Sequence, residues 1–249
     1  MAAGEAPRDP PARPAFYALA PGGWRDLVTV LHPPYTVWHL SYVALGAAAA
    51  PIFHPGRLGA TAAAFLLAVG LSAHALDELH GRPLNTRLSR AHLIVLACLG
   101  LAGALALGVL GAVTVSAWLV PFIVAGCLLV PAYNLELAGG RLHRGWVFAL
   151  AWGGFPALTG YFAQTLAIRP AGVLVAVACS LLSVAQRRLS TPARDLRRRT
   201  VRVVGEQELV DGTVVALDRE RLASPLEGAL GMLWMALALL AAGLVLVRI

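Results

Sequence analysis

The feature that most constrains this chain is a series of apolar stretches, each about 20 residues long, recurring from residue 35 to residue 247 with only short polar breaks. A helix of that length covers the hydrocarbon thickness of a bilayer. Within that layer the backbone has no water to bond to, so a spanning segment must be a helix or part of a closed barrel. The spacing predicts seven spans, at residues 35–53, 58–79, 92–110, 116–133, 145–166, 171–189 and 226–247. The expected fold class is all-α, a polytopic transmembrane helical bundle of about seven spans. Composition agrees: of 249 residues, 58% are hydrophobic and 13% charged, and the mean hydropathy is +0.71. A soluble domain carries roughly twice that charge.

Punctuation between the runs fixes the domain reading. Residues 1–25 are rich in Pro and Ala and lack an apolar core, so they read as a disordered cytosolic tail rather than a signal peptide. Residues 26–249 form the transmembrane helical domain. Residues 24–31 form a short amphipathic lead-in, and Pro33-Pro34 opens the first span. Gly81-Arg82-Pro83 stops the second. A cytosolic basic loop is expected at 190–224, with a small hairpin pairing 201–204 with 213–217 across Asp211-Gly212.

The formal charge is +7, and all 20 basic residues are Arg. With no Lys in the chain, a retinal-type Schiff base is excluded. Seventeen of the arginines fall in the tail and the segments 77–91, 134–145 and 187–225, which seven spans place on one side. That asymmetry is a positive-inside signal, giving a multi-pass protein of the cell membrane with those loops cytosolic. The arginines read as topology signals and phosphate-binding groups, and no nucleic-acid partner is expected. Cys98, Cys127 and Cys179 lie in apolar runs and read as small buried hydrophobes.

Chemistry-bearing residues converge on the cytosolic side. His74, Asp77 and Glu78, at i, i+3 and i+4, share a helix face at the end of the second span. Acids at a helix C-terminus oppose the macrodipole and call for a cation or a nearby Arg; the competing reading is a solvated helix end. The next loops add Tyr133, Asn134, Glu136, Arg141, His143 and Arg144, then Gln186, Arg187, Arg188, Arg194 and Asp195. Carboxylates can hold Mg²⁺, and Mg²⁺ with Arg can hold a diphosphate. Below them Trp146, Phe148, Trp152, Phe155, Tyr161 and Phe162 either line an apolar chamber or serve as packing and interface anchors. The combination suggests a lipid-borne phosphate with its head at the membrane edge and its tail in the bundle.

On three features the chain resembles the UbiA superfamily of intramembrane prenyltransferases. The second span runs into an acidic motif followed by Arg82-Pro83-Leu84. Tyr133 through Gly160 is similar to the family's Tyr/basic loop and Gly-Trp-Gly-Pro helix, here Trp152-Gly153-Gly154-Phe155-Pro156. Leu31-His32-Pro33 stands where the family has a leading Arg-Pro. The resemblance covers about residues 25 to 200. The family's first Asp-rich motif is reduced here to Asp77, with Ala73, His74 and Gly81 at the other positions and Glu78 beside it, and the second to Asp195. The resemblance implies prenyl transfer or terpene cyclisation on an isoprenoid (di)phosphate. Asp77, Glu78 and Tyr133 would be catalytic, and His74, Asp77 and Glu78 would hold Mg²⁺. Arg82, Arg87, Arg141, Arg144, Asn134 and Trp152 would bind substrate. Two alternatives remain: a catalytically degenerate lipid-binding or assembly protein, and a small transporter with Asp77 and Glu78 as its ion site. The oligomeric state is left open.

Overall fold

A computed structural model describes residues 13–137 and 139–249. It is predominantly helical. A short helix, α1 (Trp24–Val30), is followed by α2 (Pro33–Ala48), α3 (Pro55–Leu79), α4 (Arg90–Thr114), α5 (Ala117–Asn134), α6 (residues 145–165), α7 (Pro170–Arg198), strands β1 (Glu206–Glu208) and β2 (Val214–Ala216), and α8 (Arg219–Leu246). Local chemistry sets the boundaries. Proline supplies the first turn of α2, α3 and α7, where no backbone donor is needed. Ser89 and Asp218 cap α4 and α8 by accepting the backbone N–H of His92 and Arg221. Gly81, at φ +105°, turns the chain out after α3.

Five of these helices, α3, α4, α5, α7 and α8, are long and apolar enough to cross a membrane. Their outward faces are apolar too: α4 exposes Val95, Leu99, Leu105, Val109 and Val113 and buries only Leu93, Ala97 and Gly100. That is the pattern of a helix meeting lipid on most of its circumference. Cys98, expected to be buried, is exposed on this helix for the same reason. The two helices outside that set are central. α2 has 16 residues and buries Trp38, Tyr42, Val43 and Ala47, and α6 packs directly against it. The approach is so close that a Cβ at Gly46 would meet the Ala157 carbonyl, and one at Gly160 the Val43 carbonyl. Small residues at a helix crossing permit this backbone contact.

Three sequence expectations are revised. α7 does not end near residue 189 but continues to Arg198, and α8 starts at Arg219, so much of the expected 190–224 loop is helix. Charge ends an apolar run, not a helix, and Arg197 and Arg198 favour the C-terminal end of the macrodipole. Arg197 then clamps α7 to α8 through Glu220 at 2.7 Å and Glu227 at 2.6 Å. In the hairpin the first strand is 206–208 rather than 201–204, with Glu206 opposite Ala216 and Glu208 opposite Val214. Pairing counts outward from the Asp211-Gly212 turn, which leaves 201–204 beyond the ladder. Of the expected disordered tail, residues 1–25, the first twelve lie outside the described residues. Residues 14–18, however, are packed: Ala15 and Ala18 are buried, and the Pro14 carbonyl accepts from Arg198 at 2.8 Å.

α3 and α6 each contain π-helical turns, at Leu66–Ala73 and Leu150–Gly154. Such widened turns displace side chains from the regular helical register and recur at functional sites. Val69, Ala73 and Trp152, all on these turns, join Val130, Tyr133, Val147 and Ala151 in one apolar cluster. This cluster forms the floor of the site described next.

Candidate functional site: a polar cavity beside an apolar groove

At the end of the bundle where α2 begins and α3, α5 and α7 terminate, a cavity of about 260 Å³ opens. Each wall comes from a different element. α3 contributes His74 and Asp77. The His74 ring stacks on His32, with centroids 4.1 Å apart and planes 15° apart, and its Nδ1 lies 3.2 Å from the Leu31 carbonyl. His32 sits in the left-handed region at φ 46°, a conformation costly for a residue with a Cβ and one that recurs at functional sites. Its Nδ1 shares a 2.8 Å hydrogen bond with the Tyr17 hydroxyl, which brings the N-terminal segment over the cavity.

α5 and the loop after it supply Tyr133, Asn134, Glu136 and His143. Tyr133 stacks on His143 at 4.6 Å and meets Trp152 edge-on at 5.6 Å. His143 Nδ1 lies 3.8 Å from the Glu136 carboxylate. Asn134 donates to the Val130 carbonyl at 2.6 Å, so its amide is partly engaged within its own helix. α7 supplies Arg187, Arg194 and Arg198. Arg187 donates to the Tyr133 hydroxyl at 2.7 Å and lies over the Phe148 ring. The extension of α7 past residue 189 is what brings Arg194 and Arg198 here.

Electrostatics inside the cavity are set by burial. Desolvation first, and the neighbouring His74 ring second, hold the His32 imidazole well below its ordinary value of 6.5. Burial likewise pushes the Tyr17 phenol up. His32 Nε2 and His39 Nδ1, both on residues lining the cavity, are buried without a partner among the described residues. Buried polar atoms in native proteins are ordinarily satisfied, so these are positions for a ligand or water to fill.

The candidate residues separate into two groups. His74, Asp77, Tyr133, Asn134 and Trp152 meet in the cavity. Glu78, Arg82, Arg87, Arg141 and Arg144 do not line it. Glu78 is fully buried outside the cavity, where its carboxylate accepts from Leu84 N, Thr86 N and Thr86 Oγ1, each at 2.9 Å. Arg82 is spent on the carbonyls of Leu88 at 2.6 Å and Thr86 at 3.3 Å. Both residues hold the 80–89 loop. The i, i+3, i+4 spacing places Glu78 near Asp77 in projection, but folding of that loop against the helix gives Glu78 three donors.

The donor set does not fit Mg²⁺. Among the described residues no group of three or more His, Cys, Asp or Glu side chains is placed to hold a metal ion. Mg²⁺ prefers oxygen ligands, and with Glu78 sequestered only Asp77 of the expected trio offers a carboxylate to the cavity.

Adjoining the polar cavity is an apolar groove of about 150 Å³ among α3, α4, α5 and α6, with Phe65, Ala68, Leu101, Phe122, Ile123 and Phe155 on its walls. Val69 and Trp152 line both spaces. The groove reaches Arg57, so along α3 it extends ~18 Å from Val69 at 1.5 Å per residue. The chain matches no protein-family model, and no curated protein or solved structure matches it.

Proposed function

We propose that this is a UbiA-like, multi-pass protein of the cell membrane, its cavity end cytosolic, that binds a prenyl or polyprenyl (di)phosphate and acts on it by prenyl transfer or terpene cyclisation. One observation carries the reading: a polar cavity with arginines on one wall and an elongated apolar groove lie side by side, with Val69 and Trp152 as their shared wall. An amphipathic anion with a long hydrocarbon tail matches both halves at once, whereas a free anion or a plain lipid matches one. In this reading the phosphate head lies among the α7 arginines and the tail follows α3. Trp152 stands at the boundary with Tyr133 edge-on to it, where departure of the diphosphate with its bonding pair would leave an allylic cation. Aromatic faces stabilise such a cation electrostatically. Asp77, which lines the cavity as Glu136 also does, would take the proton in this reading. Tyr17 and the segment around it cover the head-group end and restrict water.

A second reading is a lipid-binding protein on the same scaffold without transfer activity. The sequestration of Glu78 favours it, since that residue would otherwise complete the acidic pair.

Thermal stability of the purified protein in detergent, titrated with geranylgeranyl diphosphate, tests both, because a ligand of the native state raises the melting temperature by mass action. Geranylgeranyl diphosphate is expected to raise it more than inorganic diphosphate or geranylgeraniol alone. Equal effects from either fragment would remove the head-plus-tail reading. A shift accompanied by product detectable by mass spectrometry, and by loss of product in Asp77→Ala, supports the enzyme. A shift without product supports the lipid-binding protein.

A further inference from the structure

Resting on the lipid-phosphate reading of the cavity, we infer that Arg187, Arg194 and Arg198 form a cationic stripe that holds the phosphate oxygens directly, so that the head group binds without a divalent metal. At 100° per residue, positions i, i+7 and i+11 of a helix fall within ~40° of one another, and these three arginines occupy those positions on one continuous helix. All three line the cavity.

Their partners distinguish them from the other arginines of the segment. Arg197 is paired with Glu220 and Glu227, and Arg199 lies 3.4 Å from Asp195. Among the described residues the stripe arginines bond to neutral groups: Arg187 to the Tyr133 hydroxyl, Arg194 to Ser190 O and Thr191 Oγ1, and Arg198 to Pro14 O. A guanidinium has five N–H donors, so each keeps several for an anion, and bidentate pairing with phosphate oxygens uses them well. A dication placed beside three guanidiniums would be repelled by all three. The cavity offers it little in return: Asp77 stands without Glu78, and Glu136 lies beside His143.

The test uses the full chain in detergent with geranylgeranyl diphosphate as probe, its affinity read from the melting shift with excess EDTA and with added Mg²⁺. The same affinity is expected in both. It is expected to fall as ionic strength rises from about 0.05 to about 0.5 M, because screening weakens charge pairing. Arg194→Gln is expected to weaken binding roughly tenfold or more while the unliganded melting temperature is kept. Arg194→Lys should recover part of the loss, since it restores the charge without the fork. A shift that requires Mg²⁺ or disappears in EDTA overturns the inference and leaves the lipid-phosphate reading standing. So does full affinity in Arg194→Gln together with Arg187→Gln. Absence of any shift with or without Mg²⁺ sinks the lipid-phosphate reading itself, and this inference with it.

Discussion

Adjacent carboxylates have opposite roles here, and the difference is decided by who donates to them. Asp77 faces the cavity, whereas Glu78 accepts three hydrogen bonds and holds the 80–89 loop. Glu78→Gln keeps the size but replaces a charged acceptor by a neutral one with a single carbonyl oxygen, leaving buried backbone donors underserved. A destabilisation of about 1–3 kcal/mol is expected in a thermal melt. Lipid binding at a temperature where the variant is folded should be retained; loss of binding with unchanged stability would instead return Glu78 to the site. His32 gives a pH dependence of defined sign. Its folded-state affinity for a proton is held well below the ordinary 6.5, so below that pH the unfolded chain takes up the proton that the folded chain refuses. Its contribution is therefore fully present above about pH 6.5 and is progressively lost as the pH falls. The melting temperature should drop between pH 7 and pH 5, and the drop should be smaller in His32→Gln, provided that variant folds. An unchanged slope would show that other groups govern acid stability. The sequence shows which titratable residues sit near residue 77, but not which of them the loop claims, because Leu84 and Thr86 reveal their donors only once the chain has turned back at Gly81.

At the scale of elements, the apolar runs were legible because a membrane helix leaves a hydropathy signal along its whole length. All seven expected spans correspond to helices, with boundaries displaced by up to nine residues where the helix outlasts its apolar stretch, as α7 does beyond residue 189. The cost of that displacement was functional. Arg194 and Arg198 read as part of a basic loop, and only the continuation of α7 turns them into a stripe beside Arg187. Helix contacts also carry information that hydropathy lacks. Gly46 and Gly59 look alike in sequence, yet a Cβ at Gly46 meets the backbone of α6, while one at Gly59 meets nothing within 4 Å. Gly46→Ala is expected to destabilise by about 1–3 kcal/mol through overpacking. Gly59→Ala should be neutral or stabilising by up to about 1 kcal/mol through helix propensity. Paired melts of the two variants check this; equal and small effects would mean that α2 and α6 do not approach as closely as described.

For the whole molecule, contacts at the two ends of the bundle constrain the path of the chain more strongly than hydropathy does. At one end the segment around Tyr17, the loop after α3, the loop after α5 and the last turns of α7 all border the polar cavity. At the other end, His54 N donates to Gln164 at 2.6 Å, Arg57 to the carbonyls of Ala163 and Gln164 at 3.3 Å, and Arg248 to Ala50 O at 2.6 Å. These contacts gather the α2–α3 turn, the end of α6 and the end of α8 at that second end; α2 and α6 are not among the five helices that are apolar and long enough to cross on their own. A short or less apolar helix can still traverse if its neighbours cover it, and α2 and α6 bury their faces against each other and against α7 and α8. In the proposed orientation all seven helices cross, and the positive-inside asymmetry puts the arginine-rich end on the cytosolic side. In a variant lacking the three native cysteines, Arg202→Cys should react with an impermeant maleimide only in inverted vesicles, and Arg169→Cys only in right-side-out vesicles. Labelling of both from the same side would mean that α7 does not cross.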